Sequence, residues 1–587
     1  MDYYTSEKNA QIVVALLKSH KIRKIIASPG TTNICLVASL QHDPFFEIYS
    51  APEERSAGYM ACGLAAESGE PVVITCTGAT ASRNYMPALT EAFYRKLPIL
   101  AITCSRRSYR IGHNFDQVTD RTVLPNDVAK ISVQVPLVYD YESEWADIIA
   151  VNKALLELTH NGNGPVHINL ETNYSKDYTI KELPVYRAIH RYSAGMSLPT
   201  INAEKVAIFV GAHVKWSTLL TNYVEKFCEM YNGVVLCDHI SNYKGRYAVE
   251  ANLMGQQTIF NSIVKRPIDL LIYIGDVFAP MYPISTENVW RVNPDGELRD
   301  PFRKLRAVFE MQEEQFFKEY TDRTHETSNL SFWKACSEEY DSVYKDVWEK
   351  IETLPFGNAW VASQTSRKLP ENSVLHLGIQ NSLRFWNFFP ISNSVCCYCN
   401  TGGFGIDGSI SSTIGASLCN KDKLYYCVLG DLAFFYDLNA LGNRHIGKNL
   451  RILLVNNGKG TEFKLSGNPG SRFGDAGDLY IAAAGHYGNK SKTLVKHFAE
   501  DLGFEYLSAE TKDEYIDSLA KFLSTEPTQK SIIFEIFTTS ENEDRSLTIL
   551  REMHIDDKIQ TERKIKNAIK GVVGKKGVAA AKKILGN

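Results

Sequence analysis

Short apolar runs alternating with helix-length segments, three times over, constrain this chain more than any other feature. "KIIAS" (24–28), "PVVITC" (71–76), "PILAITC" (98–104) and "PVHINLE" (165–171) read as buried strands bounded by Gly or Pro turns. A second set comprises "VAIFVGA" (206–212), "GVVLCDH" (233–239) and "DLLIYIGD" (269–276). A third contains "SVLHLG" (373–378), "SVCCYC" (394–399), "LYYCVLGD" (424–431), "LRILLVNN" (450–457) and "SIIFEIF" (531–537). Helical stretches between such strands act as crossovers of a mostly parallel sheet, so each set predicts one unit of an α/β fold. Stretches near 178–204 and 325–357 show no clear period and read as linkers. Three α/β domains follow, at 1–180, 195–330 and 350–545, with a basic tail at 551–587.

Composition excludes the competing plans. A length of 587 residues suits three to five ordinary domains, and 44% hydrophobic with 22% charged residues is the make-up of a folded chain. Sixty-four basic and 67 acidic residues leave a net charge of -3, which offers no general attraction to nucleic acid. No apolar run is long enough to span a bilayer, and mean hydropathy is -0.21. The start, Met1-Asp2-Tyr3-Tyr4, lacks a secretory pattern, and twelve cysteines in so long a chain do not suggest a disulfide framework. A large cytoplasmic enzyme is the expectation. From Lys558 to Asn587 there are nine Lys/Arg and one acid, read as a solvated tail or a basic amphipathic helix for a membrane surface or partner.

The most informative motif is "GDLAFFYDLNALGNRHIGKNLRILLVNNGKG", Gly430 to Gly460. One strand ends at Gly430-Asp431 and the next at Asn456-Asn457, and strand ends on one sheet edge converge in space. A carboxylate, an amide oxygen and a backbone carbonyl form a hard-oxygen set suited to magnesium or calcium, completed by phosphate oxygens and water. Gly430 lets the backbone approach a diphosphate, and the helix that follows offers its positive end. The spacing resembles the diphosphate and metal signature of thiamine diphosphate (ThDP) enzymes, with Leu432 replacing a glycine.

A second constellation, "APEERSAGYMACGLAAESGEPVVITCTGATASRN" (51–84), lies in the first unit. ThDP needs a carboxyl group against its aminopyrimidine ring to reach the tautomer that deprotonates the thiazolium carbon. Glu54, after a strand end and before a helix, has the expected position, where burial should let its carboxyl share or donate a proton near neutral pH. Glu53 is then its solvated neighbour. The chain thus resembles the ThDP-dependent 2-oxo acid decarboxylase and carboligase superfamily over roughly residues 5–545. "SPGTTN" (28–33), "EERSAG" (53–58), "GIDG" (405–408) and "GDLAFFYDLNAL" (430–441) are most similar to its menaquinone-pathway 2-succinyl-5-enolpyruvyl-6-hydroxy-3-cyclohexene-1-carboxylate synthases.

The resemblance implies pyrimidine, central and diphosphate domains, and a homodimer or homotetramer whose active sites lie between subunits. It assigns cofactor activation to Glu54 and the magnesium ligands to Asp431, Asn457 and the Lys459 carbonyl. Cofactor contacts fall on Thr31, Gly78, Ile406, Gly430, Leu432, Ala433 and Phe463, with Ile406 the bulky residue beneath the bent cofactor. Ser382 and Gln117 are matched to groups near the reacting carbon, and Arg106 and Gln117 to the substrate pocket. The implied chemistry is decarboxylation of a 2-oxo acid and transfer of the acyl carbanion to a carbonyl, as a transferase or lyase. A decarboxylase that releases an aldehyde, and a non-catalytic scaffold acting through its basic tail, are the alternatives.

Departures concern the substrate. The similar synthases add succinic semialdehyde, formed from 2-oxoglutarate, to isochorismate, and they hold a multiply carboxylated substrate with several basic side chains. Their arginines correspond here to Thr32, Trp386 and Thr401, a Lys-Arg pair is missing near 276–281, and Glu462 takes an apolar position beside Phe463. The fold and cofactor are expected to transfer, and the substrate is not. Other attractive residues read more readily as structural: the Cys396, Cys397 and Cys399 cluster as a strand rather than a zinc site, His113 as a structural or surface histidine ahead of an acid-base in the pocket segment, and Arg83 and Arg95 as interface or surface charges. The paired histidines of simple pyruvate-type decarboxylases are missing, and no GxGxxG follows a strand in the middle domain, so flavin or nicotinamide has no support there.

Overall fold

A computed structural model describes residues 3–278, 282–323, 328–486, 490–526 and 528–554; the expected basic tail lies almost wholly outside them. The apolar runs become strands of three parallel sheets, as the α/β expectation requires. The first contains β1 (Lys24–Ala27), β2 (Glu47–Ser50), β3 (Val72–Thr77), β4 (Ile99–Ser105), β5 (Ser132–Val135) and β6 (Val166–Glu171), in the order β2-β1-β3-β4-β6-β5. Strands β3, β4 and β6 are buried along their whole length. Helices cover both faces of such a sheet, which is why these strands read as unbroken apolar runs. One face packs on a cluster that includes Ile12, Leu16, Leu36 and Leu155, the other on a cluster that includes Ala57, Ala61, Tyr85 and Leu89.

The middle group has β7 (His190–Ser193), β8 (Val206–Val210), β9 (Gly233–Cys237), β10 (Ala248–Glu250), β11 (Leu270–Ile274), β12 (Val289–Val292) and β13 (Leu305–Glu310). The third sheet comprises β14 (Val374–Leu377), β15 (Cys396–Cys399), β16 (Tyr425–Gly430), β17 (Leu450–Asn456), β18 (Glu505–Ala509) and β19 (Ile532–Phe537). Its order, β15-β14-β16-β17-β19-β18, repeats that of the first sheet strand for strand. In both, the chain runs outward in opposite directions from the central pair, β1/β3 or β14/β16. A crevice opens at the C-terminal ends of such a pair, where α/β sheets bind ligands.

The chain divides into two compact units. One holds Met1–Leu198 with Pro294–Glu310, so it includes the first sheet and the parallel pair β13–β7. The other holds Pro199–Asn293 and the residues from Met311 onward, with the strands β10-β9-β8-β11-β12 and the third sheet.

Two segments read as linkers carry regular structure. β7 lies within 178–204, and a 20-residue helix, Ser331–Lys350, fills most of 325–357. That helix buries Phe332, Cys336, Val343, Tyr344 and Val347, a stripe hidden in the sequence by the aromatic and charged residues on its other faces. Among the described residues, no helix is long and apolar enough to cross a membrane.

Candidate active site

In the first unit the crevice is framed by the turns after β1 and β3. The turn after β1 leaves Thr31 exposed and buries Thr32, whose hydroxyl donates to the Cys104 carbonyl and lies 3.0 Å from Thr77 Oγ1. Gly78, just past β3, is buried beneath the Arg121 guanidinium. A Cβ there would come within 2.4 Å of Arg121, so the close approach requires glycine. Arg121 itself is only 2% exposed and donates to the Gly78 carbonyl and to Asn169 Oδ1. Burial without a carboxylate partner lowers its pKa to about 10.

After β2 the paired glutamates separate. Glu53 is the N-cap of the helix Glu54–Ser68, its exposed carboxylate accepting from the Arg55 and Ser56 amides at 3.1 and 2.8 Å and from the Ser56 hydroxyl. Those Ser56 bonds hold Glu53 below the usual carboxylate range. Glu54 has no part in the cap and is half-buried. Arg106, just past β4, is engaged: its Nη atoms donate to Asp116 at 2.7 and 3.0 Å and Nε to the Tyr174 hydroxyl at 2.7 Å. Gln117 is exposed in a left-handed conformation, φ +56°, and His113 is exposed.

In the second unit the β14/β16 crevice gathers the remaining candidates. Ser382 lies past the end of β14, on the short helix Asn381–Trp386, and is 3% exposed. Asp431 begins the six-residue helix that leaves β16. The Leu432 amide donates to its Oδ1 at 2.8 Å and the Gly458 amide to its Oδ2 at 2.6 Å. Burial raises its pKa to about 7.

Past β17 the two asparagines also diverge. Asn456 is spent on structure, donating to Glu535 at 2.7 Å, while Tyr506 donates to the same carboxylate at 2.8 Å. The Asn457 Oδ1 is buried and has no partner. A buried carboxylate without a protein cation, beside an orphaned amide oxygen, is the donor set a divalent ion would complete. The Lys459 carbonyl accepts from the Thr461 amide at 2.8 Å, which leaves its second lone pair for a metal.

Phe463 is 43% exposed on the 3-10 turn Thr461–Lys464. It closes over Gly460 with Leu432: a Cβ at Gly460 would sit 3.1 Å from the Phe463 ring and 3.3 Å from Leu432. Half-buried Ile406 rests against the cluster containing Ala433.

Three positions matched to substrate-holding arginines are closed. Thr32 and Thr401 are buried, and Trp386 is fully buried, its indole donating to Asn358 Oδ1 at 3.2 Å and its carbonyl facing the His239 ring. Two features were not foreseen in the sequence. Arg121 and Arg384 each meet partners far along the chain, Arg384 pairing with Glu462. Cys396, Cys397 and Cys399 form β15 as free thiols, and no His/Cys/Asp/Glu cluster suited to a metal occurs among the described residues. The Asp431–Asn457 set rests on an amide and a backbone carbonyl besides its one carboxylate.

Residues 7–124 match the model of the thiamine pyrophosphate enzyme N-terminal TPP-binding domain. The chain belongs to the thiamine pyrophosphate, or ThDP, enzyme family, and ThDP is its cofactor class. Within that family it is 30% identical to a 2-succinyl-5-enolpyruvyl-6-hydroxy-3-cyclohexene-1-carboxylate synthase of Bacteroides thetaiotaomicron, over 94% of this chain and 99% of the relative. The synthase of Phocaeicola vulgatus is 31% identical over 94% and 98%, and that of Flavobacterium psychrophilum 26% over 91% and 96%. These full-length matches bear out the resemblance carried by the motifs and identify an enzyme.

Proposed function

We propose that this chain is a ThDP- and magnesium-dependent enzyme that removes carbon dioxide from a small 2-oxo acid and joins the acyl carbanion to an acceptor carbonyl. The observation that carries this reading is the Asp431–Asn457 oxygen pair at the end of adjacent strands, one oxygen orphaned and neither neutralised by a protein cation. Synthases among the full-length relatives favour ligation over simple release of an aldehyde.

Bound ThDP would supply the electron sink for decarboxylation and return the electron pair to the acceptor. The chain's own residues do the rest. Asp431, Asn457 and the Lys459 carbonyl would hold the magnesium that neutralises the diphosphate. Glu54 would hold a proton against the aminopyrimidine, a role left to it because Glu53 is committed to the helix cap. Ile406 and Phe463 would shape the cofactor and pocket walls, and Arg106 would orient the donor carboxylate by exchanging Asp116, whose side chain is 70% exposed. Active sites completed by two subunits accompany this reading.

The substrate should differ from that of the similar synthases. Thr32, Trp386 and Thr401, matched to arginines there, are 1%, 0% and 4% exposed and offer no replacement cation. Losing one bidentate arginine typically costs a carboxylate ligand about 2–5 kcal/mol. A donor such as pyruvate fits one guanidinium, and Phe463 suits an acceptor with apolar or sugar-like faces. The test is a screen of 2-oxo acids for carbon dioxide release, with products analysed with and without carbonyl acceptors. Pyruvate with an acceptor should outperform 2-oxoglutarate with isochorismate. The reverse order would overturn the substrate reading, and aldehyde as sole product would overturn ligation.

A further inference from the structure

Arg384 and Glu462 meet across 78 residues of sequence at the edge of this crevice. Nη1 and Nη2 of Arg384 donate to the two Glu462 oxygens at 2.8 and 3.1 Å, and Nη1 also donates to Asn381 Oδ1 at 2.5 Å. The side chains are 17% and 23% exposed, so small molecules reach them while bulk solvent screens them only in part. Arg384 stands two residues after Ser382 on one short helix, and Glu462 directly precedes exposed Phe463.

A second guanidinium completes the surroundings. Half-buried Arg551 donates twice to Gln256 Oε1, at 3.0 and 2.8 Å. Burial lowers its pKa first and Arg384 next, while Asp544 and Glu462 oppose them. The Asp544 carboxylate is itself held by the Ser466 amide and hydroxyl at 2.6 and 2.7 Å. Glu462 is therefore the carboxylate that directly balances Arg384.

We propose that Glu462 is a built-in occupant of the Arg384 fork and selects hydroxyl-bearing acceptors over carboxylated ones. This rests on the carboligase reading above and names its acceptor class. A guanidinium binds a carboxylate best through two parallel N–H bonds, and Glu462 already fills that face. An incoming carboxylate must displace Glu462, leaving a half-buried anion unpaired, or stand beside it as a like charge. Either outcome is a device of exclusion rather than of attraction. A hydroxyl has neither difficulty, because each carboxylate oxygen keeps a lone pair free after the fork forms.

The experiment uses the full chain with ThDP and magnesium, the best 2-oxo acid donor, and two two-carbon acceptors, glycolaldehyde and glyoxylate. They differ by a hydroxymethyl against a carboxylate group. The native chain should prefer glycolaldehyde in kcat/KM. Glu462→Gln should shift the preference toward glyoxylate by about tenfold or more, chiefly through a lower KM for glyoxylate. Adding Arg384→Gln to that variant should cancel the shift, because the freed guanidinium is what would bind the acid. If Glu462→Gln does not fold, Glu462→Met takes its place with the same expectation.

A ratio that moves less than about twofold in the folded variant, or falls equally in kcat for both acceptors, would reduce the pair to a structural link. Carbon dioxide release without ligated product from either acceptor in the native chain would instead overturn the carboligase reading, and this proposal with it.

Discussion

Glu53 and Glu54 are neighbours with the same side chain, and the fold separates their roles through three hydrogen bonds. Glu53 spends its carboxylate on the Ser56 and Arg55 amides and the Ser56 hydroxyl, whereas Glu54 enters the helix free of the cap. Glu54→Gln should therefore retain ThDP and metal binding while lowering turnover by roughly 10²–10⁴-fold, since the amide cannot share the proton. Steady-state rates with calorimetric ThDP affinity check this, and near-normal turnover removes Glu54 from the mechanism. Asp431→Ala should lose ThDP binding altogether, because the diphosphate would face the site without its metal. Unchanged ThDP and magnesium affinity by calorimetry would refute the metal assignment. The strand-end placement of both residues is readable from the sequence, because it is a local property. Arg384 was not, because its importance depends on a partner 78 positions away that no spacing rule connects.

Strands and helices differ in how plainly the sequence announces them. All twelve apolar runs became strands, because burial on both faces writes an uninterrupted hydrophobic word. Seven further strands lack such a run: β2, β5, β7 and β18 are half-exposed, with too little apolar sequence in "EIYS" or "EYLSA" to stand out, β10 has only three residues, and an arginine interrupts "VWRV" of β12 and "LRAVFE" of β13. The helix Tyr141–Glu157 has a different irregularity. Its buried face includes Asp147, 1% exposed, whose Oδ2 has no partner. Burial, reinforced by Glu171, raises the Asp147 pKa to about 8. An unfolded aspartate titrates near ~3.9, so the folded state holds this proton more tightly. Its contribution to stability is complete below about pH 4 and lost progressively as pH rises toward 8. Asp147→Asn should remove that dependence and stabilise the first unit at pH 7 by up to about 4 kcal/mol. Unfolding midpoints of both proteins at pH 5 and pH 8 provide the measurement. Parallel pH trends would show that Asp147 does not titrate in this window.

At the scale of the molecule, the first and third sheets share one strand order, and each presents a crevice at its own switch point. The sequence foretold three α/β regions because each repeats the same alternation. It did not foretell that 294–310 joins the first compact unit, since that association depends on the pairing of β13 with β7 rather than on any local signal. Glu54 belongs to one unit and Asp431 to the other. If active sites are shared between subunits, one supplying Glu54 and its partner Asp431, two inactive variants should complement each other. Co-expressing Glu54→Gln and Asp431→Ala chains in equal amounts pairs them at random. A site is intact when the subunit giving its glutamate and the subunit giving its aspartate are both native at those positions. Each condition holds half the time, so the whole population should show roughly one quarter of native activity. Chains that kept both groups in one site would yield no intact site in any mixture, so activity at the level of the separate variants would place each site within a single subunit.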